Sequence, residues 1–102
     1  TTLAGTGSAG SANGTGTSAS FSFPRGITTD GTNLYVPDFG NHLIRKIVIS
    51  TGVVTTLAGT GSAGSANGTG TSASFRAPRA ITTDGNNLYV ADGTNHRIRK
   101  IE

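Results

Sequence analysis

The segment TTLAGTGSAGSANGTGTSASF, residues 1–21, recurs letter for letter as residues 55–75. The period is 54, and residues 1–48 match 55–102 at 39 of 48 positions. Near-identical sequences face the same local energetics, so the chain is two copies of one structural unit, and every reading of its fold must respect that. The copies differ at Ser22/Arg76, Phe23/Ala77, Gly26/Ala80, Thr32/Asn86, Pro37/Ala91, Phe39/Gly93, Gly40/Thr94, Leu43/Arg97 and Val48/Glu102. The second copy has no counterpart of Ile49 to Val54. A feature found in both copies counts as one observation.

Within a unit, strand signals dominate. Residues 26–30 are short, β-branched and close on Asp30-Gly31, a turn pair. Residues 33–37 make a second run that ends at Pro37 and Asp38. Pro37 has no N–H, so it belongs at the strand end, where no ladder partner is needed. Phe39-Gly40-Asn41 turns the chain into a third run, residues 42–49, and Thr51-Gly52 turns it into a fourth, residues 53–58. The pattern predicts a four-stranded antiparallel meander. Helix is disfavoured, because β-branched residues and glycine occupy the places where Ala, Glu and Lys belong. Ile44 and Ile47 are three apart, which breaks strict alternation and predicts a bulge in the third strand.

Composition explains the rest of the unit. Gly (16), Thr (17) and Ser (10) dominate a chain with 33% hydrophobic and 13% charged residues. These small residues concentrate in Ala4–Ser20 and its copy Ala58–Ser74, built only of Ala, Gly, Ser, Thr and Asn. Such a segment has nothing to fill a core and predicts a surface excursion, with Phe21 and Phe75 pinning its ends to the sheet. The low charge excludes a highly charged disordered tail. No apolar run approaches the roughly 18 residues of a membrane span, so no membrane partner is expected. Absence of Cys removes disulfides and thiolate metal sites, and absence of Met points to a processed or excised piece of a longer protein.

Four antiparallel strands recurring at a fixed interval are the signature of a β-propeller blade. The stretch from Pro78-Arg79-Ala80-Ile81 through Asp84-Gly85-Asn86-Asn87-Leu88-Tyr89-Val90-Ala91-Asp92 to Asn95-His96-Arg97-Ile98-Arg99-Lys100-Ile101 resembles the NHL repeat, whose name is spelled at Asn41-His42-Leu43. The preceding Thr-Leu-Ala-Gly-Thr-Gly looks like an extended bacterial version of it. The resemblance implies an all-β fold whose blade strands run from a central channel outwards, often in rings of six.

On that implied order, residues 24–58 form a complete blade, 59–75 a Gly/Ser/Thr loop, and 78–101 a three-stranded partial blade. Thr1-Thr2-Leu3-Ala4 repeats Thr55-Thr56-Leu57-Ala58 and is therefore an outer strand separated from its own blade. Both blade faces, carrying Ile27, Leu34, Val36, Ile81, Leu88 and Val90, would be apolar patches on a lone chain. The expected answer is a closed homo-oligomer in which residues 1–4 of one chain complete the 78–101 blade of the next. Thr1, Thr2, Leu3, Ala4, Ile98 and Ile101 are the expected subunit contacts. Three copies give six blades, the favoured ring, and four give eight.

The chemistry-bearing motifs are few. Gly5-Thr-Gly-Ser-Ala-Gly10 spells a dinucleotide fingerprint, but no helix pattern follows to point at pyrophosphate, so a loop is expected and no cofactor. Asp38-x-x-Asn41-His42 and its copy supply too few converging ligands for a metal. There Asp38 is expected to hold turn amides, Asn41 to adopt the left-handed conformation and His42 to pack at the strand start. Asn13-Gly-Thr15 and Asn67-Gly-Thr69 spell glycosylation sequons and read as flexible Asn-Gly loops.

Arg25 and Arg79 each follow a proline and precede the inner strand, which the resemblance places at the channel mouth, where a ring of them is a candidate site for carboxylate or phosphate. The alternative is a solvated or Asp-paired arginine. Arg45-Lys46 and Arg97-Ile-Arg99-Lys100 form a basic stripe, and net charge is +3. The stripe reads either as a solvated edge that blocks sheet aggregation or as an RNA contact, for which aromatic platforms are lacking. No paired carboxylates, nucleophile–base pair or metal cluster appears. A non-enzymatic scaffold is therefore expected, with RNA or small-anion binding as the alternative.

Overall fold

The computed structural model describes all 102 residues, and every regular element in it is a strand or a single 3-10 turn. In chain order the strands are β1 (Gly14–Thr15), β2 (Thr28–Thr29), β3 (Asn33–Asp38), β4 (Leu43–Val48) and β5 (Val53–Ala58) in the first unit. The second unit holds β6 (Pro78–Thr83), β7 (Leu88–Asp92) and β8 (Arg97–Ile101). All ladders are antiparallel, in the orders β1-β5-β4-β3-β2 and β6-β7-β8. The first unit is thus the meander read from the sequence, with one additional strand on its outer edge. A register shift falls between Ile44 and Arg45, at the place where alternation fails in the sequence.

Three local expectations are corrected. The first inner strand shrinks to Thr28–Thr29, although its copy pairs over six residues. Gly26 stands where the copy has Ala80, and glycine in a strand interior loses more entropy and packs nothing. Pro37 lies inside the β3–β4 ladder opposite Ile44, one residue short of the strand end. Lastly, the left-handed residue of the β3–β4 turn is His42 (φ 58°), and His96 (φ 56°) in the copy, rather than the asparagine before it.

The small-residue segments run mostly along the surface, as expected, but they are bonded to the sheet rather than looping free of it. Residues 14–15 add β1 to the sheet against Val53 and Val54. Ala19 and Ala73 are buried, Ala19 with Val36, Ile47 and Val54 in one cluster, Ala73 with Phe75 in the other. What holds each segment down is an arginine from the sheet. Arg45 is fully buried; it donates from Nη1 to the Ser20 carbonyl (2.8 Å) and Asp38 Oδ2 (2.9 Å), and from Nη2 to the Ala12 carbonyl (3.0 Å) and Asn13 Oδ1 (2.9 Å). Asn41 Nδ2 bridges Asp38 Oδ2 and the Gly10 carbonyl, both at 2.7 Å, while Asp38 Oδ1 accepts the Ser22 N–H at 2.8 Å. Arg99, Asp92, Asn95 and Asn67 repeat the arrangement on residues 64–74. The segments lack large apolar side chains but not backbone carbonyls, and a buried guanidinium needs several acceptors at once. Phe21 and Phe75 close the arrangement, with the guanidinium carbon 4.9 and 5.0 Å from their ring centroids.

Two units meet through one core. Ile44, Ala58, Ala73 and Phe75 pack with Ile81, Leu88 and Val90 of the second unit's face. The chain crosses between units at Gly59 (φ +107°), where a Cβ would lie 2.7 Å from the His42 carbonyl oxygen, so only glycine fits.

Candidate functional site

The junction between units shows what a complete contact looks like. Ile44 of β4 is 0% exposed and Ile81 of β6 9%, each covered by the other unit. The Ala77 N–H donates to His42 Nδ1 at 2.9 Å across the junction. Ala77 holds φ 52°, an uncommon angle for a residue with a Cβ, and its counterpart Phe23 holds the same angle.

The same contact is present twice more, each time with one half uncovered. Ile98, the copy of Ile44, is 75% exposed, and Ile27, the copy of Ile81, is 59% exposed. His96 repeats the left-handed His42, while Phe23 repeats Ala77 at φ 52° and is 71% exposed. Around Ile27 an apolar groove of about 370 Å³ is lined by Leu3, Ala4, Phe21, Leu34, Val36 and Ile47 among others. One end of the molecule therefore presents the socket of the junction, and the other end presents its plug.

The β8 edge adds a second feature. In the first unit β5 runs between β4 and β1. In the second unit the corresponding walls are β8 and residues 67–70, and between them lies an open groove of about 750 Å³ with Ala58, Ala73 and Phe75 at its base. Of the residues expected at subunit contacts, Ile98 lies uncovered along this groove, and Ile101 also lines it but packs partly into the core between units. Thr1, Thr2 and Leu3 are exposed and in no ladder; Ala4 packs against the cluster of Val36 and Ile47. The Gly5 N–H donates to the Gly16 carbonyl as Gly59 does to Gly70, so residues 3–5 lie against their loop as 57–59 lie against theirs.

The basic stripe is corrected. Arg45 and Arg99 are buried in ion pairs with Asp38 (2.9 Å) and Asp92 (2.8 Å) and are not a solvated edge. Arg45 Nε is the one buried side-chain nitrogen without a partner, and it sits beside the Phe21 ring. The two sequons are equally part of the fold, since Asn13 and Asn67 each accept a hydrogen bond from the buried arginine. Asp38 and Asn41 belong to this clamp, which sequence reasoning missed. The signal was available: in a hairpin that pairs Val36 with Arg45, Asp38 lies on the same face as Arg45, one diagonal away.

Arg25 and Arg79 take neither an aspartate nor a glutamate. Arg25 Cζ lies 4.3 Å from the centroid of the Phe39 ring, and Arg79 Cζ lies 4.9 Å from the same ring. On the opposite, Asp-Gly end, Asp30 Oδ1 accepts the N–H groups of Thr32 and Asn33, and Oδ2 accepts the Tyr35 hydroxyl. Those bonds favour the charged form and hold Asp30 below the ordinary carboxylate range; the Asn87 and Asn86 amides, with Tyr89, do the same for Asp84. Burial, helped by the hydrogen bond to Asp30, pushes the Tyr35 hydroxyl up.

Residues 75–101 match the NHL repeat. The bovine NHL repeat-containing protein 2 is 39% identical over 98 residues, covering 91% of this chain and 14% of that protein. Among solved structures, a protein of unknown function from Bacteroides thetaiotaomicron superposes with a TM-score of 0.88 at 32% identity, over 95% of this chain and 26% of that one. An auxiliary nutrient binding protein from Bacteroides ovatus gives 0.83 at 31% identity, over 93% and 26% respectively. The chain thus spans 14% of the length of its bovine relative and about a quarter of the two solved structures.

Proposed function

This is an NHL-repeat chain, and from that premise we propose that it is a non-enzymatic scaffold whose two blades per chain assemble head to tail into a closed β-propeller. Thr1–Ala4 of one copy enters the groove between β8 and residues 67–70 of the next. The observation that carries this reading is the half-made junction: Ile98 and His96 at one end, Ile27 and Phe23 at the other, each the repeat of a residue covered inside the chain. A plug and socket on opposite ends form a heterologous contact, which closes into a ring or runs on as a fibre. Residues 55–58 fill the corresponding position in the first unit with the sequence that residues 1–4 repeat. Carrying over the β4–β5 register pairs Ile98 with Ala4, Arg99 with Thr2 and Lys100 with Thr1 of the neighbouring copy.

The ring would present its loops and channel as a binding platform, in keeping with the nutrient-binding description of one structural neighbour. Light scattering behind gel filtration tests the assembly. Three copies of the 10.2 kDa chain, about 31 kDa, are expected, and four copies, about 41 kDa, also fit a closed ring. A clean species at 10.2 kDa, or an unlimited ladder of masses, overturns it.

A further inference from the structure

We infer that Arg25, Phe39 and Arg79 form a binding site for a small oxyanion, carboxylate or phosphate, at the junction between the two units. Both guanidinium carbons lie over one phenyl ring, at 4.3 and 4.9 Å from its centroid. Neither side chain donates a hydrogen bond or joins an ion pair within the chain, so the N–H groups of both remain available to an oxyanion, which guanidinium recognises well. The ring quadrupole stabilises each cation modestly, yet it does not remove the repulsion between two like charges held over one ring.

No group within the chain supplies the missing negative charge. The protein has five acidic residues. Asp38 and Asp92 are committed to Arg45 and Arg99, Asp30 and Asp84 hold the turn amides and tyrosines, and Glu102 lies 3.9 Å from Lys100. Arg25 and Arg79 are exposed, and neither has a carboxylate within ion-pairing distance.

Backbone geometry aims both side chains. The β6–β7 register shifts between Pro78 and Ala80, so Arg79 is the extra residue of a bulge, a device that turns a side chain out of the ladder. Arg25 follows a proline in the same way: Pro24 bridges Asp38, and the Arg25 N–H donates to the Pro37 carbonyl at 3.2 Å. The site exists once per chain, because Gly93 stands where the first unit has Phe39. A Cβ at position 93 would lie 2.8 Å from Arg79 Nε, so Arg79 lies across that glycine and reaches the ring of the other unit.

The experiment is a titration of the purified chain with inorganic phosphate and, separately, with acetate, followed by NMR at the arginine Nε–H and Phe39 ring resonances. Sodium chloride at matched ionic strength is the reference. Saturable shifts with at least one of the two anions are expected. Arg25→Gln and Arg79→Gln should each weaken binding about tenfold, as loss of a charge-assisted pair does. Phe39→Leu should weaken it about threefold, and Arg76→Gln should leave it unchanged. Equal shifts with chloride, or equal losses in Arg76→Gln, overturn the proposal in favour of diffuse attraction to a basic chain. Both arginines are exposed, so their variants should fold, and circular dichroism checks this; if one does not, the other carries the test. Repeating the titration on Ile98→Asp, which should not assemble, separates this site from ring closure, since all three residues lie on one chain.

Discussion

The two units share 39 of 48 residues and the same hydrogen-bonded clamp, yet the side chains of their outer halves live in different worlds. Ile44 and Leu43 are buried where Ile98 and Arg97 are exposed, and β4 has a partner on both sides where β8 has one. Even the clamp differs in one respect: Arg45 is sealed, whereas Arg99 keeps slight access to solvent. The lesson is that repetition guarantees local bonding, which depends on residues a few positions away. Burial is not guaranteed, because it depends on what stands on the far side of the strand.

That contrast can be broken most forcefully at the clamp. Arg45→Ala leaves Asp38 buried without its counter-charge and should cost about 3–5 kcal/mol in a denaturant melt. Arg99→Ala should cost clearly less in a lone chain, since water reaches its site, and as much as Arg45→Ala in an assembled ring. Equal losses in a chain shown to be monomeric would mean that the exposure difference has no energetic weight.

A smaller effect probes the apolar pair. Ile44→Ala should lose about 2–4 kcal/mol, the ordinary cost of emptying a packed site. For Ile98→Ala the monomer should scarcely change, while a ring should fall apart at a concentration where the parent holds together. Sedimentation at several concentrations reads the second outcome. If Ile98→Ala shifts neither stability nor mass, the exposed half-junction is only surface.

The smallest expected effect concerns pH, and here the units should behave alike. Asp30 and Asp84 have folded-state values held below the ordinary one by hydrogen bonds from the following turn amides and tyrosine hydroxyls. Their contribution is therefore complete above the unfolded carboxylate value, near 3.8, and is lost as pH falls through the lower folded value. Thermal melts should show a small acid-side decline that is reduced in Asp30→Asn or Asp84→Asn and nearly abolished in the double variant. A decline of unchanged size in the double variant would show that these two turn carboxylates do not carry it.

Much of the architecture was legible because it is written in short-range terms. Asp30-Gly31 and Thr51-Gly52 announced turns, Val, Ile and Tyr runs announced strands, and the Ile44–Ile47 spacing announced the bulge. The clamp was not legible from composition. A segment of Ala, Gly, Ser, Thr and Asn looks solvent-bound when only side chains are weighed, yet its carbonyls are what Arg45 and Arg99 require. Arg25 and Arg79 were visible as candidates, but their shared use of Phe39 was not. Arg79 and Phe39 are forty residues apart and meet only once the units dock.

By itself, then, the sequence determined the strands, their turns and the fact of two equivalent units, since those follow from propensities and alternation within a few residues. Tertiary structure decided which of two identical side chains is buried, which arginines are spent on internal carboxylates and which are left over. Each of those outcomes depends on dielectric surroundings and on partners supplied by another part of the chain, and neither quantity is carried by a residue's immediate neighbours.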